Sequence, residues 1–115
     1  IEGAFVGAGL TVPPLREVLA RVRVEPKRAE RIVQLLLREK TLVKISEDLF
    51  FHQSALVRLR ELLRGYHQQQ GERISVAAFK KLTGITRKYA IPLLEYLDRE
   101  RVTRRVGDER LILVR

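Results

Sequence analysis

"TRKYAIPLLEYLDRERVTRRVGDERLILV", residues 86–114, decides the fold because its hydrophobic period changes part-way along. Ala90, Leu93, Leu94 and Leu97 recur at i, i+3, i+4 and i+7, one face of an amphipathic helix. Beyond Val102 come two short apolar-rich runs on either side of a polar turn at Gly107-Asp108. That pattern is a hairpin.

The same plan occurs 61 residues earlier, in "EPKRAERIVQLLLREKTLVKISEDLFFH", residues 25–52. Ala29, Ile32, Val33 and Leu36 fall on the four apolar positions, Lys27 on Lys88, Glu39 on Glu100, Lys44 on Arg105 and Ile45 on Val106, while "SED" falls on "GDE". Each copy follows a shorter helical pattern, "PPLREVLARV" and "SVAAFKKLTG", with Leu15 over Val76 and Val18 over Phe79. Pro13 and Pro14 suit a helix start, Ser75 an N-cap and Gly84 a helix end. Between the copies, Leu56, Leu59, Leu63 and Tyr66 are spaced as a further helix before a Gln/Gly-rich break.

Three helices and a two-stranded hairpin, in that order, form a winged helix-turn-helix. The expected fold is mainly α with small β-hairpins (α+β), as two tandem winged helix-turn-helix domains, a spacer-like one over residues 1–53 and a nucleic-acid-binding one over 54–115. Units of this size bury only about 60% of their unfolded surface, so they are expected to pack together or to share the Gln53–Gln70 helix.

Of the 115 residues, 45% are hydrophobic and 32% charged, the balance of an ordinary globular chain. No cysteine is present, which removes disulfides and thiolate chemistry and agrees with an intracellular setting. His52 and His67 lack a matching ligand set, so each is read as a surface or satisfied histidine. No apolar run nears the roughly 18 residues of a membrane span, so no membrane partner is expected and the location is read as cytoplasmic. Because methionine is absent and the chain opens at Ile1, it is read as a segment of a longer protein.

The net charge is +9, and its distribution is uneven. Residues 1–52 hold nine Lys/Arg against seven Asp/Glu, and residues 53–115 fourteen against seven. A polyanion is therefore expected to bind the C-terminal half.

Within that half, Arg87 and Lys88 occupy the first turn of the third helix, where a cation is disfavoured by about 0.3–1 kcal/mol. Thr86 is placed to cap this helix by accepting from the Lys88 or Tyr89 amide, leaving other first-turn N–H groups facing outward. Open amides, the helix dipole and two cations together suit a phosphate, so the penalty becomes a gain once an anion binds. Tyr89 is placed to stack on a base, and Pro92 frees the Lys88 carbonyl from its helical donor. The wing adds Arg104, Arg105 and Arg110 around the Gly107 turn.

No GxxxxGK[ST] loop is present, and Glu95, Asp98 and Glu100 are read as salt-bridge partners of Arg99 and Arg101. Binding without turnover is expected, with no catalytic or metal residues. Duplex DNA is disfavoured, because the exposed helix face continues through Ile91, Pro92 and Tyr96 rather than base-reading amides. A DNA-binding transcriptional regulator and a passive protein-interaction module are the competing readings.

The string "ISVAAFKKLTGITRKYAIPLLEYLDRERVTRRVGDERLIL" closely resembles the last winged-helix domain of the bacterial selenocysteine-specific translation elongation factors, the SelB family. "LLREKTLVKISEDLFFH" looks like that family's penultimate winged helix, with weaker motifs. The resemblance implies a GTPase that delivers selenocysteinyl-tRNA to the ribosome at UGA codons followed by an mRNA hairpin, the selenocysteine insertion element (SECIS). It implies GTP and Mg in a part of the parent that this chain lacks, no cofactor here, and a monomeric fragment. Carried onto matching positions, the RNA-binding candidates are Thr86, Arg87, Lys88, Tyr89, Arg104, Arg105, Gly107 and Arg110; Thr86 stands where the family usually has serine.

Overall fold

The computed structural model describes residues 1–114. It divides into two compact units, the first Ile1–Leu56 and the second beginning at Val57. The first contains α1 (Glu2–Ala8), a 3₁₀ turn (Gly9–Thr11), α2 (Leu15–Arg21), α3 (Pro26–Arg38), β1 (Leu42–Lys44) and β2 (Phe50–His52). Helix α4 (Gln53–Gln70) starts there and continues into the second, which adds β3 (Arg73–Ser75), α5 (Val76–Thr83), α6 (Arg87–Arg99), β4 (Thr103–Val106) and β5 (Glu109–Ile112). Helices followed by a small antiparallel hairpin, twice over, make up the α+β winged-helix plan.

Two elements went unread in the sequence. Helix α1 carries Gly3 and Gly7 and buries only Phe5, so it shows no periodic stripe. Strand β3 is three residues long and pairs antiparallel with β5, giving the second unit a sheet of order β3-β5-β4 where the first has the two-stranded β1-β2. Its one fully buried side chain, Ile74, is too little for a pattern.

The 61-residue repeat holds to the residue in the backbone. Helices α3 and α6 begin and end at equivalent positions. Both close through the same left-handed turn, with φ of 62° at Lys40 and 58° at Arg101. In the first, the Thr41 N–H donates to the Leu36 carbonyl at 2.9 Å and the Lys40 N–H to Leu37 at 3.1 Å; in the second, Val102 donates to Leu97 at 2.9 Å and Arg101 to Asp98 at 3.2 Å. This is a Schellman motif, built twice without the usual glycine.

The hairpins then diverge. Lys44 pairs with Phe50 across a turn at residues 45–49, whereas Val106 pairs with Glu109 across Gly107 and Asp108 alone. A two-residue turn that follows the strand twist needs positive φ at its first position, and Gly107 has 62°. Relative to the repeat, the second pairing is displaced by one residue.

Apolar stripes close each unit. Ala29, Val33 and Leu36 of α3 are buried in the first, and Ala90, Leu93, Leu94 and Leu97 of α6 in the second, together with Phe79 of α5 and Leu59 and Leu63 of α4. Beside the start of α4, His52 is satisfied. Its Nδ1 accepts from the Ser54 amide at 3.0 Å and its Nε2 lies 2.8 Å from Glu2 Oε2, which fixes the proton on Nε2 in the neutral ring.

Candidate nucleic-acid interface

The start of α6 is presented by a rigid turn. Ser75 caps α5 by accepting the Ala78 amide at 3.1 Å, and Gly84 ends it in the left-handed region at φ 76°, donating to the Lys80 carbonyl. Thr83 locks the interval, its hydroxyl donating to the Phe79 carbonyl at 2.8 Å and accepting the Ile85 amide at 3.3 Å. Ile85 is buried, so the chain re-enters α6 from a fixed point.

Thr86 caps α6 differently from the sequence expectation: its side chain makes no capping bond. Its carbonyl instead takes the Tyr89 amide at 3.1 Å and the Ala90 amide at 2.8 Å. The third-position N–H that a cap hydroxyl would seek is thus already engaged, and Thr86 is exposed. The amides of Arg87 and Lys88 remain the helix's unmatched donors, as helix geometry requires.

Arg87 and Lys88 are exposed and Tyr89 is half-buried. The Lys88 ammonium lies 5.4 Å from the centre of the Tyr89 ring, a cation–π distance. A shallow hollow of about 500 Å³ runs from α5 to this helix start and is lined by Lys80, Lys81, Gly84 and Arg87 among others. These two lysines do not stand out in the sequence. Their signal was "KK" in the turn before Gly84, which reads alone as favourable charge at a helix C-terminus.

On the wing, Arg104 and Arg105 are exposed, and Arg105 Nε donates to the Gly107 carbonyl at 3.0 Å. Arg110 departs from expectation. It is 4% exposed, and both its Nε and an NH2 nitrogen lie 3.3 Å from Asp98 Oδ2. The other oxygen of Asp98 accepts from the Thr103 hydroxyl at 2.6 Å. Asp98 therefore pairs across to the wing rather than with Arg99 or Arg101, because the alternation of β4 and β5 turns Thr103 and Arg110 toward α6.

These contacts fix the wing to the last turns of α6. Arg87 and Asp98 are eleven positions apart, about 16 Å along a helix axis, so the wing's anchor and the first-turn cations mark opposite ends of one element. The structure brings together Thr86, Arg87, Lys88 and Tyr89; on the wing Arg105 lies beside Gly107 and Arg104 is exposed on the other face of β4, and Arg110 belongs to neither exposed group. Between them Tyr96 is half-buried, and burial, reinforced by Glu100, raises its phenol above the usual 10.0.

Among the described residues no group of His, Asp and Glu is arranged to hold a metal, and no helix is long and apolar enough to cross a membrane. Residues 66–112 match the family model described as "Elongation factor SelB, winged helix". The selenocysteine-specific elongation factor of Desulfomicrobium baculatum is 35% identical over 112 residues, covering 97% of this chain and 18% of that protein. That of Escherichia coli K12 is 31% identical over 87 residues, covering 72% of this chain and 14% of that protein. The chain thus spans less than a fifth of the length of these curated relatives.

Among solved structures, the mRNA-binding domain of E. coli elongation factor SelB in complex with SECIS RNA superposes with a TM-score of 0.73 at 22% identity, covering 96% of this chain and 95% of that one. At that identity the likeness speaks for the fold. A crystal structure of bacterial selenocysteine-specific elongation factor EF-Sec gives 0.71 at 28% identity, over 95% of this chain and 18% of that one.

Proposed function

We propose that this chain, which belongs to the SelB winged-helix family, is the mRNA-binding part of a selenocysteine-specific elongation factor and takes a SECIS-type RNA hairpin on its second unit. The observation that carries this reading is the α6 start: exposed Arg87 and Lys88 beside unmatched amides, continuous with a hollow bearing Lys80 and Lys81. A phosphate there meets two kinds of donor at once, and the Tyr89 ring next to Lys88 offers a stacking face for an unstacked base.

Phosphate contacts at the helix start and at Arg104 and Arg105 position the hairpin, and base contacts in between select it. Thr86 and Gly107 contribute through backbone and shape. Arg110 acts from inside, as a strut. The chain binds without turning anything over, and needs no cofactor of its own. In the whole factor, GTP and Mg bind elsewhere, and this part ties the mRNA to delivery of selenocysteinyl-tRNA on the ribosome in the cytoplasm. The fragment acts as a monomer, residues 1–53 serving as spacer and 54–115 as reader.

Selection from an RNA pool of randomised hairpin loops tests the reading, with a duplex DNA pool at equal salt as the competitor. Enrichment of one hairpin loop is expected, and Lys88→Ala should lower the magnitude of its salt slope by about 0.7–0.9 for the lost phosphate contact. A tighter selected DNA duplex would instead support a transcriptional regulator.

A further inference from the structure

The 61-residue repeat allows the wing's anchor to be compared with a counterpart in the same chain. Leu37 stands at the position of Asp98 and Leu42 at that of Thr103; Arg110 corresponds to Leu49 by the repeat and to Phe50 by strand register. Leu42, Leu49 and Phe50 are all buried, Leu42 and Leu49 to within 1%. The first unit therefore closes the same helix–hairpin junction with apolar side chains.

A buried ion pair is seldom more stabilising than well-packed apolar groups of similar volume. The fold itself does not call for charge here. What the polar version adds is direction: one carboxylate on α6 holds β4 through Thr103 and β5 through Arg110, with hydrogen-bond distances of 2.6 and 3.3 Å. An apolar contact tolerates sliding that this fork does not.

It also settles a charge conflict. Arg105 and Arg110 are direct cross-strand partners, and like charges placed opposite each other are unfavourable. With Arg110 neutralised by Asp98, Arg105 is left exposed, with its Nε on the Gly107 carbonyl. Its charge is kept for an outside anion.

We infer that Asp98, Thr103 and Arg110 are positioning residues, a polar clamp that fixes the wing's attitude to α6 so that Arg104 and Arg105 meet the same RNA as the α6 first turn. This rests on the RNA-binding reading above. The deciding variant gives the second unit the first unit's solution, Asp98→Leu with Thr103→Leu and Arg110→Leu. None of the exposed cations is altered.

Binding of the selected RNA hairpin to the 115-residue chain is measured across a salt series, with melting temperature alongside. The triple variant should melt at or above the parent's temperature yet bind about tenfold more weakly, its salt slope reduced by roughly 1.5, as for two lost wing phosphates. Parental affinity and slope in a folded variant would overturn the clamp. Should the triple variant not fold, Thr103→Val and Asp98→Asn decide in its place: about threefold weaker binding with a cooperative melt supports the clamp, and unchanged binding overturns it. Failure of the unmodified chain to bind any selected hairpin would overturn the RNA reading itself, a result distinct from all of these.

Discussion

Helices α3 and α6 start, stop and turn at equivalent residues, down to the left-handed Lys40 and Arg101, yet the hairpins behind them are held by different chemistry. In the first unit the hairpin seats on leucine and phenylalanine; in the second, on a carboxylate shared between threonine and arginine. Backbone pattern and apolar stripe suffice to build the module. The two units differ in a few side chains at the helix start and at the wing's anchor.

The largest expected difference between the units is in stability. Asp98→Ala leaves Arg110 buried without a partner and should cost about 3 kcal/mol, whereas Leu37→Ala, at a half-buried apolar position, should cost about 1–2. Denaturant unfolding, with hydrogen exchange at β1 and β4 to assign the loss to a unit, measures both. An equal cost would mean that the charge in the second unit is of no special consequence.

Next comes binding at the matched lysines. Lys88→Ala should weaken the selected hairpin about tenfold, or about 1.4 kcal/mol, while Lys27→Ala should change it less than about twofold. Filter or anisotropy titrations in parallel provide the comparison, and comparable losses would make the first unit a reader as well.

Smaller still is the effect at the left-handed turns. Lys40→Gly and Arg101→Gly each relieve a non-glycine residue at positive φ and should stabilise by about 0.5–1 kcal/mol. The two gains should add, because distant sites seldom couple. A loss on either melt would show that the cationic side chain compensates at the helix end.

The least effect concerns Tyr96, whose counterpart Leu35 cannot ionise. With its phenol raised above 10.0 in the fold, the folded state holds the proton more tightly than the unfolded one. The stability this contributes is complete below pH 10.0 and is lost as pH rises through the folded value. Tyr96→Phe should flatten the fall in melting temperature above pH 10 and leave the neutral range unchanged.

Much of this molecule was legible beforehand. The stripe Ala90, Leu93, Leu94, Leu97 and its image in α3 gave helices α6 and α3, Ser75 and Gly84 gave the ends of α5, and Gly107-Asp108 gave the wing turn. Helix α1 and strand β3 were not, because one buried side chain apiece leaves no period to see. At the candidate site, Arg87, Lys88, Arg104 and Arg105 came out exposed as their charge suggested, and Lys80 and Lys81 line a hollow with Arg87 through the turn at Gly84.

Sequence alone determined the repeat, the class of fold, the basic second half and the family, because hydrophobic period and charge are properties of residues taken in order. Only the tertiary structure decided that Thr86 caps with its carbonyl and that Arg110 serves the interior. Those outcomes depend on which donor and acceptor meet first in space: the Tyr89 amide reached the Thr86 carbonyl, and Asp98 reached across from a helix to two strands. An arginine's charge is written in the chain, but whether it faces solvent or a carboxylate is settled by the partner that folding brings beside it.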